Sequence, residues 1–321
     1  MQTAQTFGDS LLRRRSGFSL VEVVVVLSVI LILIALIGPA VQNARSAAQK
    51  MGCVNNLRQF GLAAEQYHET FRAYPVDHPY VSILPFLEQS AMADLIAIGG
   101  TVDASPATFV CPADSLASLA RKHVNYGINE GNGRYVRIIE NGSGRKLFNG
   151  MRLTSNFWVQ NSTSRDFSDG LSNTAMYSER KVPPATIPTL QSGLSDPTAF
   201  LWYVDRDYDM PDEYDEFRSA CRNGTHATML PYFWRTSSFL ERKFGYNHIL
   251  PPNTPGCHVV APPTTATFGH DEGSIPATSR HTGGANVVFV DGHVTFISNS
   301  IDMEVWSALG TRNGGETANL E

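Results

Sequence analysis

The chain has 321 residues, room for one large domain or two modest ones. A formal net charge of −5 excludes a general basic field that would attract nucleic acid. With 42% hydrophobic and 17% charged residues the composition fits a globular protein with a real core, and 26 glycines with 18 prolines announce many turns.

Arg13, Arg14 and Arg15 precede an apolar run in which only Glu22 and Ser28 are polar between Leu20 and Ile37. At about 1.5 Å per residue such a run covers most of a bilayer core. The arginines hold its N-terminal flank on the cytoplasmic side, so the remainder faces outward. The small residues Ser16 and Gly17 come before the apolar run, whereas a secretory signal carries its cleavage site after it. Cleavage here therefore leaves the run on the mature chain. Charge and hydropathy alone also fit an uncleaved anchor or a secretory signal. A carboxylate at Glu22 is costly in lipid unless paired with a cation.

The helix is expected to continue to about Thr70. Val41, Ala44, Ala48, Met51, Val54, Leu57, Gly61, Ala64 and His68 recur at spacings of three and four, the pattern of an amphipathic face. Pro39 lacks an N–H and is expected to kink or locally melt the helix.

Beyond it the signals turn to short strands and turns. Ser90–Ile98 reads as a short helix ended by Gly99-Gly100, and Thr108–Asp114 as a strand entering a turn. Asp169-Gly170 precedes a strand over Thr174–Lys181, and 182–197 and "HILPPNTPGCHVVAPPTT" read as loops. "ANVVFVDGHVTFI" is the clearest hairpin, with Asp291-Gly292 as a two-residue turn. Pairing Val290 with His293 puts Val287, Phe289, Val294 and Phe296 on one face, expected to pack on a core that includes the long helix.

"SGFSLVEVVVVLSVILILIALIGPAV" resembles the N-terminus of a type IV prepilin or type II secretion pseudopilin. The resemblance implies a prepilin peptidase that cuts between Gly17 and Phe18 and methylates Phe18. Glu22 then stands at the glutamate position of the mature family sequence and Pro39 at its helix-kinking proline. It also implies assembly chemistry: the Phe18 amine of one subunit beside Glu22 of another, or of its own chain before assembly.

His281, nine intervening residues, then Asp291-Gly292 match the H-x9-DG signature of a large bacterial family of prepilin-like proteins. "CVNNLRQFGLAAEQYHETFRAYP", "ILPFLEQ", "FVCPAD", "NYGIN", "FSDGLSNTAMYSE" and "PPNTPGCH" agree with it along nearly the whole chain. The biochemical role of that family is poorly defined, so the resemblance supplies architecture more than activity.

His281 and Asp291 across the hairpin base, with His270 and Asp271, would form a metal cluster, and a metal hydrolase using His281, Asp291 and His270 is the enzymatic reading. The Asp-Gly turn already explains Asp291, and no HExxH, nucleophile-elbow or phosphate-loop motif occurs. Asp205, Asp207, Asp209 and Glu216 fall on the calcium-loop spacing, but Met210-Pro211 replaces the required glycine turn. Calcium is therefore the minor reading and a solvated acidic loop the main one. Four cysteines allow three connectivities. Cys53 on the helix and Cys111 at the "CPAD" turn favour Cys53–Cys111 as a helix-to-sheet staple, leaving Cys221–Cys257.

The expectation is an α+β, pilin-like chain: a leader over 1–17, a membrane segment over 18–40, its amphipathic continuation over 41–70 and an extracytoplasmic domain over 71–321. A long protruding N-terminal helix packs on an antiparallel sheet with long loops. The expected function is a non-enzymatic subunit, without a resident cofactor. Its partners are prepilin peptidase, other pilin-like subunits, pilus or secretion machinery and the bacterial inner membrane, but no nucleic acid. The alternative is a membrane-tethered envelope protein whose loops bind a glycan or calcium.

Overall fold

The computed structural model describes residues 19–76, 78–116, 123–132, 149–151, 153–155, 158–160, 162–182, 196–199, 201–203, 214–223, 245–258 and 273–316. Two compact units are distinguished, Met1–Ala48 and Gln49–Glu321.

Helix α1 spans Leu20–Phe71. Ser19 precedes it, and the Ser19 N–H donates to Glu22 Oε2 at 2.8 Å. This is one half of a capping box, in which a glutamate in the first turn satisfies a backbone donor left free at the helix start. Within the first unit the described part of α1 is exposed throughout. It holds an 18-residue window of mean hydropathy 3.3, none of it buried. The helix runs unbroken through Pro39, so the proline removes one N–H without melting the helix as expected.

In the second unit, α1 buries Cys53, Leu57, Phe60, Gly61, Ala63 and Ala64. The expected stripe is right at Leu57, Gly61 and Ala64, whereas Val41 and Met51 are exposed. The helix is followed by α2 (Pro79–Ile83) and α3 (Ser90–Ala97), the latter close to its expected bounds. The stretch expected to be a strand at Thr108–Asp114 instead forms a 3₁₀ turn over Ala107–Phe109 and a further turn. Two of its backbone groups bond to Asn125: the Asn125 N–H donates to Phe109 O, and the Cys111 N–H donates to Asn125 Oδ1. Pro106 precedes the segment and Pro112 lies within it, and neither can donate to a ladder.

The strands are β1 (Tyr126–Asn129), β2 (Leu153–Ser155), β3 (Trp158–Gln160), β4 (Ala175–Glu179), β5 (Leu201–Tyr203), β6 (Gly245–Tyr246), β7 (Gly256–His258), β8 (Gly273–Ser274), β9 (Gly284–Phe289) and β10 (Val294–Ser298). A five-stranded sheet runs in the order β10-β9-β4-β1-β6. Its pairings are antiparallel except β1–β6, which is parallel, so the sheet is mixed. β2 and β3 form a hairpin, and β5, β7 and β8 a small third sheet. β7 lies in a stretch expected to be loop. Helix α4 (Tyr214–Asn223) is tied to β7 by the Cys221–Cys257 disulfide. Helix α5 (Met303–Gly310) is N-capped by Asp302, whose carboxylate accepts from Glu304 N–H and Val305 N–H.

The main sheet is buried on both faces. On one, Phe60 of α1 is the aromatic hub, with ring centroids 5.0 Å from Phe109, 5.1 Å from Tyr126 and 5.3 Å from Tyr177. On the other, Ala285, Val287, Phe289 and Ile297 pack with Trp306 and Leu309 of α5.

The β9–β10 hairpin has a different register from the expected one. Val294 pairs with Val288 and Phe296 with Asn286. Phe289 N–H donates to His293 O, and Gly292 N–H to Phe289 O. Gly292 sits at φ 86°, a left-handed conformation that costs glycine nothing and inserts one extra residue at the turn. A one-residue shift exchanges the faces. Val294 therefore shares a face with Val288 and Val290, in the core formed with α1, while Val287 and Phe289 face α5 together with Ile297.

Candidate functional site

Among the described residues, a cluster of chemically capable side chains lies where the last residue of β4 meets β9 and α1. Glu179 ends a strand whose other residues are also buried. A lone carboxylate there requires donors, since burying it unpaired is costly. Asn286 on β9 supplies two: its N–H donates to Oε2 at 2.8 Å and its Nδ2 to Oε1 at 3.0 Å. His281 approaches from the loop before β9, with Nε2 3.1 Å from Glu179 Oε1, and both side chains are nearly sealed from solvent. A tight local turn aims the imidazole, because His281 N–H donates to Ser279 Oγ at 2.8 Å. The Cys53–Cys111 disulfide completes the cluster, with Cys111 Sγ 4.0 Å from His281 Nε2.

A second, charged cluster adjoins it. Buried Asp114 accepts from Asn125 Nδ2 at 2.8 Å, Val182 N–H at 2.9 Å and Arg280 Nε at 3.1 Å. Asp196 bridges Lys181 Nζ, 3.0 Å away, to Arg280. Burial pushes the Asp196 carboxyl up, but the Lys181 hydrogen bond and charge, with Thr198 and Arg280, outweigh it and hold it below the usual carboxylate range. Full burial lowers the neighbouring Arg180 guanidinium to about 10, while its Nη1 donates to Gly245 O. Between the clusters a cleft touches Cys111, Glu179 and Arg280, with room for about one water molecule.

This arrangement fastens a loop, two strands and a helix to one another. Glu179 is occupied by three partners, and the cleft is too small for an organic substrate.

The residues singled out in the sequence fall in different places. His281 and Asp291 do not meet: His281 turns inward to Glu179, whereas Asp291 accepts at the exposed hairpin tip from His293 Nδ1 at 2.5 Å and from His293 N–H. As a turn residue, Asp291 sits at the opposite end of β9 from the loop that carries His281. Gly292 gives the turn its left-handed residue and lies against α1, where a Cβ on Gly61 would stand 3.1 Å from Gly292 Cα. Both cysteine pairings are Cys53–Cys111 and Cys221–Cys257. Gly17 and Phe18, the acidic residues Asp205, Asp207 and Asp209, and His270 with Asp271 lie outside the described residues. Glu216 stands exposed on α4. Sequence reasoning missed Glu179 and Asn286 as a pair. The available signal was a glutamate closing the otherwise strand-like "TAMYSE" and an asparagine inside "ANVVFV".

An α+β chain of this kind, opening with a methylation-type N-terminus and an apolar helix able to cross a membrane, is a prepilin-like protein. The model of the "Prokaryotic N-terminal methylation motif" matches residues 12–38, which include Gly17, Phe18 and Glu22. The model described as "Protein of unknown function (DUF1559)" matches residues 42–304, and the chain belongs to that family. No curated protein and no solved structure matches the chain.

Proposed function

We propose that the chain is a non-enzymatic pilin-like subunit that assembles into, or assists, a type IV pilus or type II secretion filament. Prepilin peptidase cuts it between Gly17 and Phe18 and methylates Phe18. The observation that carries this reading is the start of α1: an unburied apolar segment, suited to lipid or to neighbouring helices, with a single carboxylate in its first turn. Among the described residues that carboxylate has no charged partner and accepts only the Ser19 N–H. A carboxylate placed so is costly in lipid and becomes favourable once a cation meets it. The Phe18 amine of a neighbouring subunit is such a cation, and pairing with it sets the axial register of an incoming subunit. Residues 18–40 are the membrane segment, with the N-terminus cytoplasmic and the rest outward. Filaments sheared or extracted from cells producing the full chain test this reading. The mature chain, beginning at methylated Phe18, is expected among their components. Its consistent absence from every filament fraction would overturn the reading.

A further inference from the structure

The Glu179–His281 pair lies directly on the Cys53–Cys111 bridge. The two sulfurs, a Glu179 carboxylate oxygen and a His281 ring nitrogen all fall within 4.8 Å of one another. We propose that these four residues form a two-state centre: a disulfide when oxidised, and a four-ligand site for a thiophilic divalent cation of the zinc class when reduced.

The distances suit such a set. Zinc is bound tetrahedrally, with bonds of about 2.3 Å to sulfur and about 2.0–2.2 Å to nitrogen and oxygen, so neighbouring ligand atoms stand about 3.3–3.8 Å apart. His281 Nε2 lies 3.1 Å from Glu179 Oε1 and 4.0 Å from Cys111 Sγ, close to that spacing before any adjustment. Two thiolates, an imidazole and a carboxylate favour zinc over calcium or magnesium, which take oxygen ligands. The outer contacts that orient metal ligands are already present. Asn286 holds the carboxylate through its N–H and Nδ2, and Ser279 Oγ accepts from the His281 N–H. The small cleft touching Cys111 and Glu179 leaves water-sized room beside the cluster. The carboxylate and imidazole now contact each other directly, and a cation between them would replace that hydrogen bond with two coordinate bonds.

The conversion balances with a phosphine as reductant. The phosphine gives two electrons to the disulfide, the S–S bond breaks, and the phosphine becomes a phosphine oxide with oxygen from water. The two protons of that water appear on the sulfurs of Cys53 and Cys111. The cation then binds both sulfurs as thiolates and two protons are released to solvent.

The test uses the full chain in detergent, reduced with tris(2-carboxyethyl)phosphine under nitrogen and titrated with Co²⁺, then Zn²⁺. The reduced chain is expected to bind one Co²⁺ with thiolate-to-cobalt charge-transfer absorption and the visible bands of tetrahedral cobalt, both lost when zinc displaces it. The oxidised chain is expected to show neither. His281→Ala and Glu179→Gln should each weaken binding at least about tenfold, as losing a ligand exceeds the loss expected for an outer-shell contact. A Cys221→Ala/Cys257→Ala chain should retain the signal, which places it at the other pair. If that double variant does not fold, the two ligand variants still locate the site. Absence of the charge-transfer band in the reduced chain overturns the proposal, whether the chain stays folded or unfolds without recovering its circular dichroism on adding zinc. A band of unchanged affinity in both ligand variants overturns it equally.

Discussion

His281 Nε2 meets Glu179 Oε1 at 3.1 Å inside the fold, 102 residues apart in the chain, and Asn286 closes the other side of the same carboxylate. The histidine of the H-x9-DG pattern is thus a partner of a buried strand-end carboxylate rather than of the aspartate that follows it.

Truncating that carboxylate should be severe. Glu179→Ala removes the acceptor for the Asn286 N–H and Nδ2 and leaves His281 without its partner. A loss of about 2–4 kcal/mol is expected, since buried donors would be left unsatisfied. Glu179→Gln keeps one carbonyl acceptor and should cost less. Urea unfolding of the full chain in detergent, with the disulfides intact, measures both. Equal stability of Glu179→Ala and wild type would remove the structural role assigned to this cluster.

Gly61 lets α1 approach the hairpin turn. A Cβ there would meet Val288 Cγ2 at 3.0 Å and Gly292 Cα at 3.1 Å. Gly61→Ala should be nearly neutral, because the gain in helix propensity offsets a small shift. Gly61→Val adds branched bulk against a backbone atom and should destabilise by about 1–3 kcal/mol. Comparison of the two thermal midpoints is the measurement.

His248 supplies a pH signature. Burial lowers its imidazole to about 3, although the hydrogen bond from Nδ1 to Trp306 O, at 2.7 Å, pulls the other way. Its ring stacks on Trp306, with centroids 3.8 Å apart. The unfolded chain takes up this proton near pH 6.5 and the folded chain only near pH 3, so the stability present above pH 6.5 is lost as the pH falls through that window. The slope from this one group is at most about 1.4 kcal/mol per pH unit. His248→Asn keeps a donor for Trp306 O. It should be less stable at pH 7 but show a shallower acid slope in thermal unfolding between pH 6.5 and 4. An unchanged slope would mean that other groups set the acid limb.

Processing predicts a defined mature end. Intact-mass analysis of the membrane form should find a chain beginning at methylated Phe18. Gly17→Leu should leave a longer, uncleaved species. A mature end at Met1, or anywhere after Ile37, would contradict the prepilin reading.

Glu22→Gln separates insertion from assembly. Removing the charge should leave membrane insertion intact or improve it, because a costly group leaves lipid. Cleavage should persist, since the cut lies upstream and depends on Gly17. Co-purification with filament components should be lost. If the variant co-purifies as wild type does, the intersubunit pairing is wrong and a simple membrane tether becomes the better account.

The sequence alone determined the features that depend on near neighbours. The apolar run of α1, the first-turn glutamate, the short helix at Ser90–Ala97 and the strand Ala175–Glu179 follow from composition and periodicity, which act over a few residues. For the cysteines the sequence favoured one of three connectivities, and the fold selects it as Cys53–Cys111 and Cys221–Cys257. Tertiary structure decided the rest. Whether Asp291-Gly292 made a two-residue turn or a bulged one turned on Asp291, which does not take the positive φ that a type I′ turn requires at both central residues, and the resulting one-residue shift put Val294 on the face of Val288 and Val290 instead of that of Val287 and Phe289. The stretch around Cys111 gave up strand pairing because Asn125 could satisfy its backbone from across the fold. Glu179 became a site only when β9 and the loop before it brought Asn286 and His281 to its two oxygens. A buried charge takes its partners from wherever the chain returns to it, and local spacing carries no record of that return.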